Sequence, residues 1–153
     1  GNNVEDRLGH FLFACFYFIG GLLALACHWW SAPGSDIPVI GASGAVAAVL
    51  GAYAITYPTA KVRTLVFFGF IFLVDIPAVV VLGFWFLMQV FETLNQLPMQ
   101  VGGGVAFWAH IGGFVAGLFL MPIIASGVDP PSAEEETWLN PAHDPPGEVW
   151  PHR

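Results

Sequence analysis

Long uncharged apolar runs, separated by short polar segments, fill most of the first 125 residues of the chain. A helix needs about 20 mainly apolar residues to cross the ~30 Å hydrocarbon core of a bilayer. Four spans are predicted, at about residues 11–29, 39–57, 76–94 and 105–124. The runs neither alternate nor show an amphipathic period, so the predicted fold class is all-α, a polytopic transmembrane helical bundle.

The remaining segments are predicted to connect these spans. Residues 1–9 are polar and predict a loop or short interfacial turn, and residues 31–38 and 92–104 predict loops. Residues 126–153 are acidic and rich in proline, which is typical of a disordered tail. The predicted organisation is therefore a transmembrane domain at 1–125 followed by a tail.

The apolar stretch between the second and third spans is interrupted by one acid. Residues 64–74 are predicted to be an embedded segment beneath the third span. Asp75 is predicted to cap the third helix, with Pro77 tolerated in its first turn. An intramembrane ionisable site at Asp75 is the alternative.

Charge is scarce in this chain, of which 56% is hydrophobic and only 10% is charged. No basic cluster is present, so nucleic acid is not an expected partner, and no cofactor or metal site is predicted. Four spans would place all the basic residues on one side, which the positive-inside rule makes cytoplasmic. They are Arg7, Lys61, Arg63 and Arg153.

Candidate chemistry lies at two positions. Ser43 follows Gly41 and precedes Gly44 near the start of the second span, and His110 lies near the start of the fourth. Both would lie within roughly 10 Å of the outer surface of the bilayer. A serine and a histidine at one depth predict nucleophilic hydrolysis inside the membrane.

Each candidate heads a stripe of small residues at helical spacing, and such stripes allow close packing of membrane helices. The stripes are Ser43, Ala47, Gly51 and Ala54 in one helix, and His110, Gly113 and Gly117 in the other. Packing stripe against stripe would bring hydroxyl and imidazole within hydrogen-bond reach, ~2.6–3.2 Å.

At these residues the sequence resembles the rhomboid family of intramembrane serine proteases. Residues 41–44 match the family's Gly-x-Ser-Gly, and residues 109–117 match its Ala-His-x-x-Gly-x-x-x-Gly. Residues 1–9 resemble the stretch that follows the family's second helix. The resemblance implies a six-helix core in which the four spans are helices three to six. The partners that it implies are the missing N-terminal helices, the lipid bilayer and transmembrane protein substrates.

The resemblance also implies roles for residues. Ser43 would be the nucleophile and, through its backbone N–H, an oxyanion donor, while His110 would be the general base. Residues around Trp85 would resemble a mobile gate for substrate entry. The expected location is a bacterial or archaeal plasma membrane, with the C-terminus cytoplasmic.

Two departures from the family pattern bear on activity. The family's second helix supplies a histidine and an asparagine to the oxyanion hole, and this chain lacks that helix. Losing one such donor typically costs ~10²–10³ in rate, so the chain as printed is expected to be inactive or nearly so. Ala47 stands where some members stack an aromatic ring on the histidine, which leaves open what orients His110.

Two other functions are compatible with a helical membrane protein. A catalytically inactive rhomboid-like protein that binds membrane helices is the main alternative, although the presence of both Ser43 and His110 argues against it. Half of a small transporter or channel is the second. It would predict polar groups near the bilayer midplane, and the predicted spans offer few.

Overall fold

The computed structural model describes residues 1–31, 33–34, 41–67, 70–96 and 106–128. The predicted tail therefore lies outside the described residues beyond 128, as do most of the predicted loop at 31–38 and the second half of that at 92–104.

Helices dominate the described part of the chain, and a two-stranded antiparallel sheet lies between the third and fourth of them. The elements in order are α1 (Asn2–Leu8), α2 (His10–Ser31), α3 (Ser43–Thr56), β1 (Lys61–Phe67), β2 (Ile71–Pro77), α4 (Ala78–Gln96) and α5 (Phe107–Ala125). The predicted helical membrane fold is confirmed, and the sheet is the departure from an all-α class.

Three of the described helices, α2, α4 and α5, are long and apolar enough to cross a membrane. Helix α3 has 14 residues, which corresponds to about 21 Å at 1.5 Å per residue. By itself such a helix covers only part of a ~30 Å hydrocarbon core. The helix within the predicted second span is thus shorter than expected, and the described residues provide three helices of spanning length rather than four.

Helix α3 is short because it is a buried helix, packed mainly between α2 and α5. Glycine and alanine make this possible. A Cβ added at Gly20 in α2 would lie 2.6 Å from Ala48 Cβ, and one added at Gly117 in α5 would overlap the Ala48 carbonyl oxygen. Only backbones with minimal side chains can approach so closely on two sides.

The end of the bundle where α2 ends and α3 and α5 begin is called here the serine end. At the opposite end, α1 packs into the bundle through Val4 and Leu8, which are 0% and 4% exposed. They cluster with Phe16 and Met121. Residues 1–9, predicted to be a loop or turn, therefore include a short helix, because two apolar residues four apart share one buried face.

Strands β1 and β2 form a hairpin that replaces the predicted embedded segment. Arg63 pairs with Asp75 across the strands, and Arg63 Nε lies 3.2 Å from Asp75 Oδ1. Asp75 therefore does not cap α4, and Pro77 ends β2 instead of lying in the helix. The start of α4 is held differently, since the Ala78 N–H donates to the Ala60 carbonyl oxygen at 2.7 Å. Valine, isoleucine and phenylalanine, which fill this segment, favour strands.

Candidate functional site

Ser43 is the first residue of α3, and its side chain is exposed at the serine end. The turn before it needs a glycine, because Gly41 has a φ of 114°, a left-handed conformation that residues with a Cβ rarely adopt. A Cβ at Gly41 would meet no atom of the described residues within 4 Å. Gly41 therefore shapes the backbone before Ser43.

The residues beside the two candidates lie against each other. A Cβ added at Gly44 would lie 3.5 Å from the Ala109 carbonyl oxygen and 2.6 Å from Ala24 Cβ. A Cβ at Gly113 would overlap the Gly44 carbonyl oxygen and lie 3.3 Å from Ala47 Cβ. The start of α3 is thus seated on the first turns of α5, with α2 behind it.

Further from the serine end, α3 and α5 stay in backbone contact. A Cβ at Gly51 would overlap the carbonyl oxygen of Phe114 and lie 3.2 Å from the Leu118 backbone nitrogen. A Cβ at Gly117 would overlap the Ala48 carbonyl oxygen. The glycines of the two stripes therefore lie at one interface, and each is a position where the partner helix leaves no room for a side chain.

His110 is the fourth residue of α5, and its imidazole is half-buried among side chains of α4 and α5. Its Nδ1 lies 2.7 Å from Gln89 Oε1. The ring centroids of Trp85 and Phe107 lie 5.9 and 6.4 Å from that of the imidazole, at interplanar angles of 39° and 90°. The ring is therefore bounded by one amide and two aromatic side chains.

The hydrogen bond expected between Ser43 and His110 is not among those of the described residues. The polar partner of the imidazole is Gln89 instead, on a helix that the small-residue stripes did not implicate. Sequence reasoning missed Gln89, although a signal was present. Gln89 is the only amide, hydroxyl or charged side chain between Ala78 and Phe91, and such residues commonly bond across helices in membranes.

Trp85 also joins the site to the rest of the α4–α5 interface. Its ring centroid lies 6.0 Å from that of Phe114, on which Phe86 is stacked at 4.8 Å. The three aromatic rings line one side of α5 next to His110. They give α4 a defined position against the histidine, at distances typical of favourable aromatic pairs.

The start of α3 leaves backbone donors available beside Ser43. The helix has Ala42 at its N-cap and no side-chain cap. Its first intrahelical hydrogen bond runs from the Val46 N–H to the Ala42 carbonyl oxygen. The first N–H groups of a helix have no intrahelical acceptor, and the helix dipole makes this end attractive to negative charge.

Within the described ranges, no group of three or more His, Cys, Asp and Glu side chains could hold a metal ion. At the serine end, the groups that could take part in chemistry are an exposed hydroxyl, a partly buried imidazole and the backbone N–H groups of the first turn of α3.

Comparison with known proteins adds one finding. The family model described as "Rhomboid domain" matches residues 1–127. No match was found among the curated proteins or the solved structures. The matched segment includes all seven helices and strands described above, the last of which ends at Ala125. With most of its length covered by that model, the chain belongs to the rhomboid family of integral membrane proteins.

Proposed function

We propose that this chain carries the catalytic dyad of an intramembrane serine endopeptidase, with Ser43 as nucleophile and His110 as general base. The observation that carries the proposal is the contact between the residues beside them, Gly44 and Ala109. Rhomboid proteins are typically intramembrane serine proteases, which agrees with this assignment. The substrates would be transmembrane proteins, cut in or near their membrane helices.

The reaction would follow the usual course for an activated serine. His110 Nε2 takes the Ser43 proton while Ser43 Oγ attacks the peptide carbonyl carbon. The C–N bond then breaks, and the protonated imidazole returns its proton to the leaving amine. Water attacks the resulting ester, giving its proton to His110, and the acid product leaves as Ser43 is reprotonated. Nδ1 is already engaged by Gln89, so Nε2 is the nitrogen that takes part.

The oxyanion of each tetrahedral intermediate would be held at the start of α3. The Ser43 N–H belongs to the first turn, where donors lack intrahelical partners. A donor of this kind is typically worth ~10²–10³ in rate. The family resemblance implies that residues of the family's second helix would complete the hole.

The setting proposed for this reaction is a bacterial or archaeal plasma membrane, with the C-terminus cytoplasmic. The serine end would then face outward, and water would reach Ser43 from that side, because the side chain is exposed there. Substrate helices would enter past α4 near Trp85, which packs beside His110.

The proposal can be tested with a serine-reactive fluorophosphonate on the full-length protein in membranes. The wild type should be labelled, and Ser43→Ala and His110→Ala should each lose labelling by at least ~10²-fold, since each removes a group essential to nucleophilic attack. Ser31→Ala is the matched control, because Ser31 lies at the same end and its hydroxyl donates to the His28 carbonyl oxygen at 2.6 Å.

Labelling that persists in Ser43→Ala would overturn the proposal. A wild type that is folded but not labelled, and that still binds membrane helices, would support the alternative of a catalytically inactive rhomboid-like binding protein. Ser31→Ala should label as the wild type does.

A further inference from the structure

The contact between His110 and Gln89 restricts the protonation of the imidazole. An amide oxygen can only accept a hydrogen bond, and Gln89 Oε1 lies 2.7 Å from His110 Nδ1. Nδ1 must therefore carry the proton. A neutral imidazole has one N–H and one bare nitrogen, so Nε2 is left with a free lone pair.

We propose that Gln89 is the positioning residue of this site, which holds His110 in the tautomer and ring orientation that make Nε2 the base. The inference rests on the proposed function for its catalytic meaning. The tautomer itself is a property of the folded chain and can be measured without activity.

Gln89 lies inside α4, and its side chain is partly buried. The Thr93 hydroxyl donates to the Gln89 carbonyl oxygen at 2.8 Å, and Thr93 is only 5% exposed. Gln89 is partly buried in an apolar stretch of α4, where an unpaired amide is costly. The hydrogen bond pairs its amide oxygen with His110 Nδ1.

The aromatic neighbours complete the orientation. Trp85 precedes Gln89 by one helical turn, so both side chains lie on the face of α4 that meets α5. Trp85 approaches the imidazole at a tilt, and Phe107 meets it edge-on at 90°. Rotation of the ring about its Cα–Cβ bond would break the Gln89 hydrogen bond and change its packing against both aromatic rings. These contacts orient the imidazole of His110 without an aromatic side chain at position 47, where this chain has alanine.

The placement of Gln89 also connects α4 to catalysis. Gln89 and Trp85 are both on α4, whereas Ser43 and His110 are on α3 and α5. If α4 moves away from α5, His110 loses both its hydrogen-bond acceptor, Gln89, and its contact with the Trp85 ring. The dyad would then be competent only while α4 is docked against α5.

The first test uses the rate of fluorophosphonate labelling of Ser43 in the full-length protein. Gln89→Leu should lower the rate about 10- to 100-fold, as expected when the group that orients a functional histidine is removed. Gln89→Glu should restore most of the rate, because it keeps an acceptor oxygen at the same chain length. Asn95→Leu is the control, since Asn95 is an exposed amide on the same helix, and its side chain donates to the Phe91 carbonyl oxygen within that helix.

The second test reads the tautomer directly by NMR of the protein with ¹⁵N-labelled histidine, using His110→Ala to identify the signals. The wild type at neutral pH should show His110 protonated at Nδ1 and bare at Nε2, and Gln89→Leu should lose this preference. A wild-type proton on Nε2, or Gln89→Leu labelled as fast as the wild type, would overturn the inference. Absence of labelling in the wild type would overturn the proposed function instead, and the NMR result would still decide the role of Gln89.

Discussion

At the scale of single residues, the missing side chains matter as much as those present. Gly113 and Gly117 are positions where a Cβ would overlap a carbonyl oxygen of α3. A methyl group there has no flexible neighbour to displace, because the obstacle is backbone. The closeness of α3 and α5, and with it the contact between Gly44 and Ala109 beside the two candidates, depends on the absence of a side chain at these two positions.

Gly117→Ala is therefore expected to destabilise the protein by about 1–3 kcal/mol, the usual cost of forcing extra volume into a packed core. Gly83→Ala is the matched control, because a Cβ at Gly83 in α4 meets nothing within 4 Å. It should be neutral or stabilising by up to ~1 kcal/mol through helix propensity. Unfolding of the detergent-solubilised variants measures both, and equal stability of the two would contradict the packing described here.

At the scale of elements, the hairpin is the least expected feature. Its strands bury little, and its large apolar side chains are exposed on both faces. Those more than 60% exposed are Leu65, Phe67, Phe70, Ile71 and Leu73. A protein bound to one face of the hairpin would leave the apolar side chains of the other face in water, whereas lipid would surround both faces. The open edges carry unpaired backbone groups, which are costly in hydrocarbon, so the interfacial region suits the hairpin best.

A nitroxide at Phe72→Cys, in a Cys15→Ala/Cys27→Ala background, should thus be more accessible to oxygen than to a water-soluble nickel complex when the protein is in a bilayer. Lys61→Cys, at the start of β1, should show the reverse, since charged residues favour the aqueous boundary. Equal nickel accessibility at both sites would show that the hairpin lies in water.

The elements also show how far the apolar pattern could be interpreted. Helices α2, α4 and α5 were predicted within a few residues, because a long uncharged run has one stable solution in a bilayer. Residues 64–74 are equally apolar, but 64–67 and 71–74 lie in paired strands, since short apolar runs do not distinguish strand from helix. Helix α3 is shorter than the predicted span. The sequence could not show this, because a helix buried among other helices and a helix surrounded by lipid are both apolar.

At the scale of the whole molecule, the two ends of the helix bundle differ in charge. The described basic residues Arg7, Lys61 and Arg63 all lie at the end opposite Ser43. The Tyr57 hydroxyl donates to the Asn3 carbonyl oxygen at 3.1 Å, which ties the end of α3 to α1 there. The positive-inside rule predicts that this end is cytoplasmic.

Cysteine labelling in intact cells can test this orientation with a matched pair. Ser31 and Ser126 each end a helix and each donate to the carbonyl oxygen three residues earlier, at 2.6 and 2.7 Å. In the cysteine-free background, Ser31→Cys should react with an impermeant maleimide from outside, and Ser126→Cys should react only after lysis. The opposite pattern would place Ser43 at the cytoplasmic face.

The sequence by itself predicted that this protein lies in a membrane and identified its two candidate reactive groups. Hydrophobicity along the chain is a local property that depends on whether a segment is surrounded by lipid or water. Ser43 and His110 are recognisable as polar residues near the starts of apolar segments. Only the tertiary structure decided that His110 bonds to Gln89, that Gly117 faces a carbonyl oxygen of α3, and that residues 61–67 pair with residues 71–77 as strands. These are contacts between distant positions, and they depend on how backbones pack rather than on any local pattern.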